Sequence, residues 1–143
     1  MSWLSLLGWL SLGGAAMAGG EGKKQSWPSS EGLTSLPSGL QYRVIQEGTG
    51  NSPQVTDQVE VHYRGCFEDG SQFDSSYDRG QPAVFPVNRV IKGWTEALQL
   101  MKEGARWQLR IPFELAYGKR GMPPVIPPEA TLYFEVELLR VKK

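Results

Sequence analysis

Tyr63, Phe73, Phe85, Trp94, Tyr117 and Phe134 fall on or beside the ends of predicted strands, a helix or a loop. Singly, each ring reads as core. Gathered around turns, such rings can build an apolar slot that takes a non-polar group and keeps water out. That would be chemistry by desolvation and positioning, with no bond made to the protein. Asp74 is the charged group beside this set. Its carboxylate could orient Arg79 or Tyr63 and tune the rim, or it could be a structural ion pair.

The residues that other mechanisms need are scarce. One His and one Cys exclude a multi-His or Cys-rich metal site and an internal disulfide. No GxSxG motif is present, so there is no esterase nucleophile elbow. Gly48-Thr49-Gly50 lacks the third glycine of a dinucleotide site. Asp69, Ser71 and Asp78 do not have calcium-loop spacing, because Phe73 stands at a ligand position. His62, on the polar face of a strand, reads as solvated, and Cys66 as a small packing residue. The sequence thus points to no metal and no cofactor. With 15 Lys+Arg against 15 Asp+Glu, the formal charge is zero, which argues against a nucleic-acid partner held by phosphate neutralisation.

These residues need a frame. Val59, Val61 and Tyr63 alternate with Glu60, His62 and Arg64, which predicts a half-buried strand over 58–64. Trp107, Leu109 and Ile111 give a second alternating set. Leu132, Phe134, Val136 and Leu138 give a third, with Glu135 and Glu137 outward. Segments 40–46 and 83–87 are weaker strand candidates, and Asp69-Gly70 marks a tight turn. Ile91, Trp94, Leu98 and Met101 recur at helical spacing, with Gly104 where a C-terminal cap belongs. Ala116 to Glu129, rich in Pro and Gly, is a long loop of the kind that is usually functional. Several strands and one short helix predict an α+β domain, with the helix on one face of an antiparallel sheet.

The ends differ in composition. Residues 1–18 hold an uncharged apolar run, Trp3 to Leu12, and an A-x-A signature at Ala16-Met17-Ala18, as in a secretory signal peptide. The run is too short for a stable membrane span. Residues 19–35 have the Gly, Ser and Lys content of a flexible linker. The compact domain is expected over 36–143.

Four segments, VHYRGCFEDGSQFDSS, VIKGW, LAYGKRG and IPPEATLYFEVELL, occur in one order and spacing. With them, Leu36 to Val141 resembles the FKBP-type peptidyl-prolyl cis-trans isomerases over about three quarters of the chain. PSGLQYRVIQEGTG and PVNRVIKGWTEALQLMKEG look like the bacterial Mip-like branch, whose members are often exported. The branch's long N-terminal helical dimerisation arm has no counterpart between the A-x-A signature and the domain.

The resemblance implies an antiparallel half-barrel sheet of five or six strands wrapped around one short helix. It also implies an apolar pocket between them. Trp94 would be the floor, and Tyr63, Phe73 and Phe134 the walls, with Phe85 beside them. Val90 and Ile91 would form the lip, the Ile91 amide meeting a substrate carbonyl. Asp74 would pair with Arg79 at the rim, Tyr117 would offer a hydroxyl, and Val125 and Ile126 would close over the top. Ala83 and Met122 stand where the best-known human members have Phe and His. The implied activity is X-Pro isomerisation in folding polypeptides, without covalent catalysis. The same pocket could instead serve a non-catalytic peptide-binding or holdase module. The implied partners are proline-containing chains and macrolides of the tacrolimus or rapamycin type. The implied location is the periplasm or another exported compartment, and the cytoplasm if residues 1–18 are not a working signal.

Overall fold

The computed structural model describes residues 27–143. The expected signal segment therefore lies outside the described residues. Seven strands form one antiparallel sheet: β1 (Thr34–Ser35), β2 (Gln41–Gln46), β3 (Gln58–Cys66), β4 (Gln72–Ser75), β5 (Ala83–Pro86), β6 (Arg106–Ile111) and β7 (Leu132–Lys142). Their order is β1-β2-β6-β7-β3-β4, and β5 also pairs with β3. A four-residue helix, α1 (Ser76–Arg79), follows β4, and α2 (Lys92–Leu100) lies between β5 and β6. The α+β class stands. The sheet has more strands than expected, because β1 and β4 are too short and polar to show a period. Among the described residues no helix is long and apolar enough to cross a membrane.

The alternating strands behave as their sequences require. Val59 and Val61 of β3, Leu109 and Ile111 of β6 and Leu132, Val136 and Leu138 of β7 are fully or almost fully buried. They meet Trp94, Ala97 and Leu98 of α2 in one core. Each such aliphatic side chain contributes about 1.5–3 kcal/mol on leaving water. α2 approaches β6 closely: a Cβ on Gly93 would lie 2.6 Å from Cγ2 of Ile111. Only a glycine lets the first turn of α2 sit there without a shift.

Several expectations are corrected. Gly104 does not cap α2. The helix ends at Leu100, and Met101 turns into extended backbone to reach full burial. Gly104 instead takes φ +94° in the turn to β6, its N–H donating to the Leu138 carbonyl at 2.8 Å. Residues 27–35 do not all behave as a linker. Thr34 and Ser35 pair with Tyr42 and Gln41, and the Trp27 ring packs edge-on to Tyr133 at 5.3 Å. An indole needs apolar cover, and Tyr133 supplies it. His62 is not solvated either: it is half-buried, stacked on Tyr77 at 4.6 Å, with Nδ1 2.8 Å from Ser76 Oγ. Burial lowers its pKa, against the opposing charges of Glu137 and Glu60.

Glu135 faces outward, as its alternation predicts, yet it is only 5% exposed. Arg106 Nη1 lies 3.7 Å from one carboxylate oxygen, and Gln108 Nε2 is 3.5 Å from the other. Burial raises its pKa more than Arg106, Gln108 and Arg64 lower it. The fold therefore favours the neutral form. The cost is present when the group is ionised above its raised pKa, and vanishes below the ordinary carboxylate pKa of about 4.3. Glu135→Gln should raise the melting temperature by a few degrees at pH 7. That advantage should shrink as pH falls into the acid range. Melting curves at pH 7 and pH 4 check both signs.

Candidate active site

The local structure that builds the site begins at the Asp69-Gly70 turn. There Phe67 N–H donates to the Ser71 carbonyl, and Ser71 N–H to the Asp69 side chain. β4 leaves this turn with an irregular register: Gly65 pairs with Asp74 and Cys66 with Gln72, so Phe73 has no partner on β3. A bulge of this kind re-aims a side chain. Phe73 meets Phe134 edge-on at 5.6 Å. Both rings pass over Gly65, where a Cβ would lie 2.7 Å from Phe134 and 2.8 Å from Phe73. Gly65→Ala must push these rings apart. It should cost about 1–3 kcal/mol through overpacking and weaken binding of a peptide's apolar ring against them about ten-fold or more. Urea denaturation and peptide titration read the two effects.

Ser75 then caps α1, its Oγ accepting from Tyr77 N at 3.1 Å and Asp78 N at 3.3 Å. Gly80, at φ +77°, ends the helix after one turn. This turn returns Arg79 to the rim. Arg79 Nη1 donates to Asp74 Oδ1 at 2.7 Å, and Nη2 donates to the Tyr63 hydroxyl at 2.8 Å. Tyr63 in turn donates to Asp74 Oδ2 at 2.7 Å. The three groups form a closed triangle in which each side chain is engaged twice. Burial works against the Asp74 charge, but the two donors and the guanidinium charge prevail, so its carboxyl sits below the ordinary range. Burial, and then the bond to Asp74, push the Tyr63 phenol up.

A cavity of about 440 Å³ opens beside this triangle. Tyr63, Phe73, Asp74, Phe85, Trp94 and Phe134 line it, with Val90, Ile91 and Tyr117 around its mouth segments. Trp94, from the first turn of α2, is edge-on to Tyr63 at 5.2 Å, to Phe134 at 5.3 Å and to Phe85 at 5.5 Å. Its Nε1 is buried and finds no acceptor among the described residues. Ile91 is the N-cap of α2 and has no capping side chain of its own. Its carbonyl accepts from Trp94 N and Thr95 N, while no described residue accepts from its amide. First-turn amides of this kind are left for an outside acceptor. The Tyr117 hydroxyl has no hydrogen bond among the described residues. Burial and the Asp74 charge raise its pKa, so it stays a donor at neutral pH.

Three expected site residues are placed otherwise. Arg79 does not line the cavity; it acts on it through Asp74 and Tyr63. Ile126 is 2% exposed, turned into the core by backbone pairing between Met122 and Ile126. Val125, at the tip of that pairing, is 48% exposed, and neither residue lines the cavity. Arg89 and Ala116 do line it and were not anticipated. Their one sequence signal is position, immediately before Val90-Ile91 and before Tyr117.

A family model described as FKBP-type peptidyl-prolyl cis-trans isomerase matches residues 50–139. The chain is 60% identical over 111 residues to the FKBP-type 22 kDa peptidyl-prolyl cis-trans isomerase of Escherichia coli (strain K12), covering 78% of this chain and 54% of that protein. It is 54% identical over 112 residues to the peptidyl-prolyl cis-trans isomerase Mip of Coxiella burnetii, covering 78% of this chain and 49% of that one. Among solved structures, the crystal structure of FkpA from Escherichia coli aligns with a TM-score of 0.76 at 48% identity. That alignment covers 80% of this chain and 53% of FkpA. The chain spans about half the length of the curated relatives it matches.

Proposed function

The chain belongs to the FKBP-type peptidyl-prolyl cis-trans isomerase family, with Mip-like proteins among its relatives, and from that premise we propose that it catalyses X-Pro rotation in folding polypeptides. The observation that carries this reading is the ring-walled cavity floored by Trp94 and rimmed by the Tyr63–Asp74–Arg79 triangle.

Rotation about a peptide bond meets a barrier of about 18–20 kcal/mol because resonance gives C–N partial double-bond character. Before proline the two isomers are close in energy, yet exchange takes about tens to hundreds of seconds. Twisting removes the resonance, so the carbonyl becomes less dipolar and the nitrogen more basic. Water stabilises the planar, more dipolar state better than the twisted one. A slot that seats the prolyl ring on Trp94 and excludes water therefore favours the twist. The Ile91 amide, from which no described residue accepts, would hold a substrate carbonyl, and the Tyr117 hydroxyl would donate nearby. A rate gain of about 10⁶ needs about 8 kcal/mol. No metal, cofactor or nucleophile is required for that step.

The proposed partners are proline-containing polypeptides, with macrolides of the tacrolimus or rapamycin type as occupants of the same cavity. The proposed location is an exported compartment, supported by the apolar run and the Ala16-Met17-Ala18 signature. N-terminal sequencing from the native host tests it, and a mature terminus at Met1 or Ser2 overturns it. For the activity, the test is refolding of a protein limited by proline isomerisation. Acceleration is expected at micromolar enzyme. Its absence, with aggregation suppression present in the wild type and weakened by Trp94→Leu, would favour the holdase alternative.

A further inference from the structure

The charged side chains that line the cavity are Asp74 and Arg89, and they are not equivalent. Asp74 is already answered by Arg79 and by the Tyr63 hydroxyl. Arg89 is exposed and has no ion pair or hydrogen bond among the described residues. It ends the short turn Val87–Arg89 and immediately precedes the lip residues Val90 and Ile91. A guanidinium left open at the mouth of a peptide-binding slot is a site for a carboxylate, which it can hold in a two-pronged bond.

Other cations lie close by in sequence. Lys92 follows Ile91, and Lys119 and Arg120 follow the lining residue Tyr117; all three are exposed and unpaired among the described residues. Neither these three cations nor Glu114 and Glu129, which border the same loop, line the cavity, so Arg89 is the unanswered charge on its wall. Other carboxylates are committed elsewhere: Glu60 to Arg140, Asp57 to Lys143, Glu135 to Arg106 and Glu103 to the Val141 amide. The chain as a whole balances 15 cations against 15 anions, so the open charge of Arg89 reflects placement and not composition.

Resting on the isomerase reading above, we propose that this pocket selects prolyl segments with an acidic residue adjoining the proline, and that Arg89 is the specificity-determining residue. The neutral slot would accept the prolyl ring of any chain. Arg89 would then add affinity for a carboxylate beside it and repel a cation there.

The test uses three short peptides that differ at the residue before proline, with Glu, Gln or Lys, and a second set varied at the residue after it. Both kcat/KM and Kd are measured with the full chain at low and high salt. A Glu-over-Lys preference of about five- to ten-fold in either set is expected at low salt, carried by KM. It should shrink to within about two-fold at 0.5 M salt, where screening acts within a few ångströms. Arg89→Gln should abolish the preference and Arg89→Glu invert it, each judged as a ratio within one variant. Equal values for Glu and Lys in both sets, or a preference that survives Arg89→Gln, would overturn the proposal. A preference seen in Kd with no turnover of any peptide would instead defeat the isomerase reading and leave Arg89's role standing.

Discussion

Replacing Phe134 by alanine is expected to cost about 3–5 kcal/mol of stability and to abolish measurable isomerase activity. Phe134 is 5% exposed and sits on β7 between Gly65 of β3 and Leu109 of β6. Its ring meets Trp94 at 5.3 Å, Phe73 at 5.6 Å and Tyr63 at 6.4 Å. Each such contact adds about 0.5–1.5 kcal/mol beyond the area it buries. One side of the ring faces an existing cavity and has no packing to lose, so the lower half of the range is expected. Even so, about 3 kcal/mol is a large share of the roughly 5–15 kcal/mol that keeps a domain folded. Urea denaturation gives the stability, and proline-limited refolding gives the activity. A loss below about 1 kcal/mol would mean that Trp94 and Phe73 close the gap, and that Phe134 is not the hub of the four rings. Phe134→Leu should recover most of the stability and little of the activity, because it restores volume without restoring a flat wall.

Asp74→Ala separates the two meanings of the rim carboxylate. The ion pair with Arg79 is 48% and 40% exposed at its two side chains, so water can take over when one partner is lost. The stability cost should then be about 1–2 kcal/mol, a surface ion pair plus the lost acceptor for the Tyr63 hydroxyl. A loss of that size leaves the folded fraction near one, so it cannot by itself reduce activity. We nevertheless expect kcat/KM to fall about ten-fold, because Tyr63 is a wall of the cavity and Asp74 and Arg79 fix its hydroxyl. An activity loss within two-fold would show the pair to be structural only. The pH dependence has a fixed sign. The Asp74 pKa is lowered in the fold, so its contribution is complete above the ordinary carboxylate range and is lost as pH falls through the lowered value. The Asp74→Ala melting curve should therefore approach that of the wild type in strong acid.

The frame was legible where side chains obey a period. β3 alternates in both sequence and burial, and α2 carries Trp94 and Leu98 four apart. β6 and β7 alternate in sequence, but Gln108, Tyr133 and Glu135 on their other face are buried as well. β4 and α1 were not legible, because QFDS and SYDR have no period long enough to count. They are specified by single residues, the Asp69-Gly70 turn and the Ser75 cap. Ser75 with Asp78 three residues on was the signal that could have found α1. Within the site, Tyr63, Phe73, Trp94, Tyr117 and Phe134, which line the cavity, sit in the four family-like segments, while Phe85, which also lines it, lies outside them. What Gly65 does was hidden, since it depends on two rings from different strands crossing over one Cα. The loop misled for a similar reason. Val125 and Ile126 look equally apolar in sequence, and only the Met122–Ile126 pairing sends one inward and the other out.

The strand order has one more consequence. A protein that handles unfolded chains meets many segments ready to add themselves to any open sheet margin. The two longest strands, β3 and β7, are interior and pair with each other along their length. One margin is the two-residue β1; the other is divided between the four-residue strands β4 and β5, the latter ending in Pro86. Because β1 covers only Gln41 and Tyr42 of β2, the open runs are Arg43 to Gln46 of β2 and the outer sides of β4 and β5, each short for templating a foreign strand. On the proposed isomerase reading, short margins favour the ring-walled slot, where a client can leave again, over a backbone ladder that would trap it.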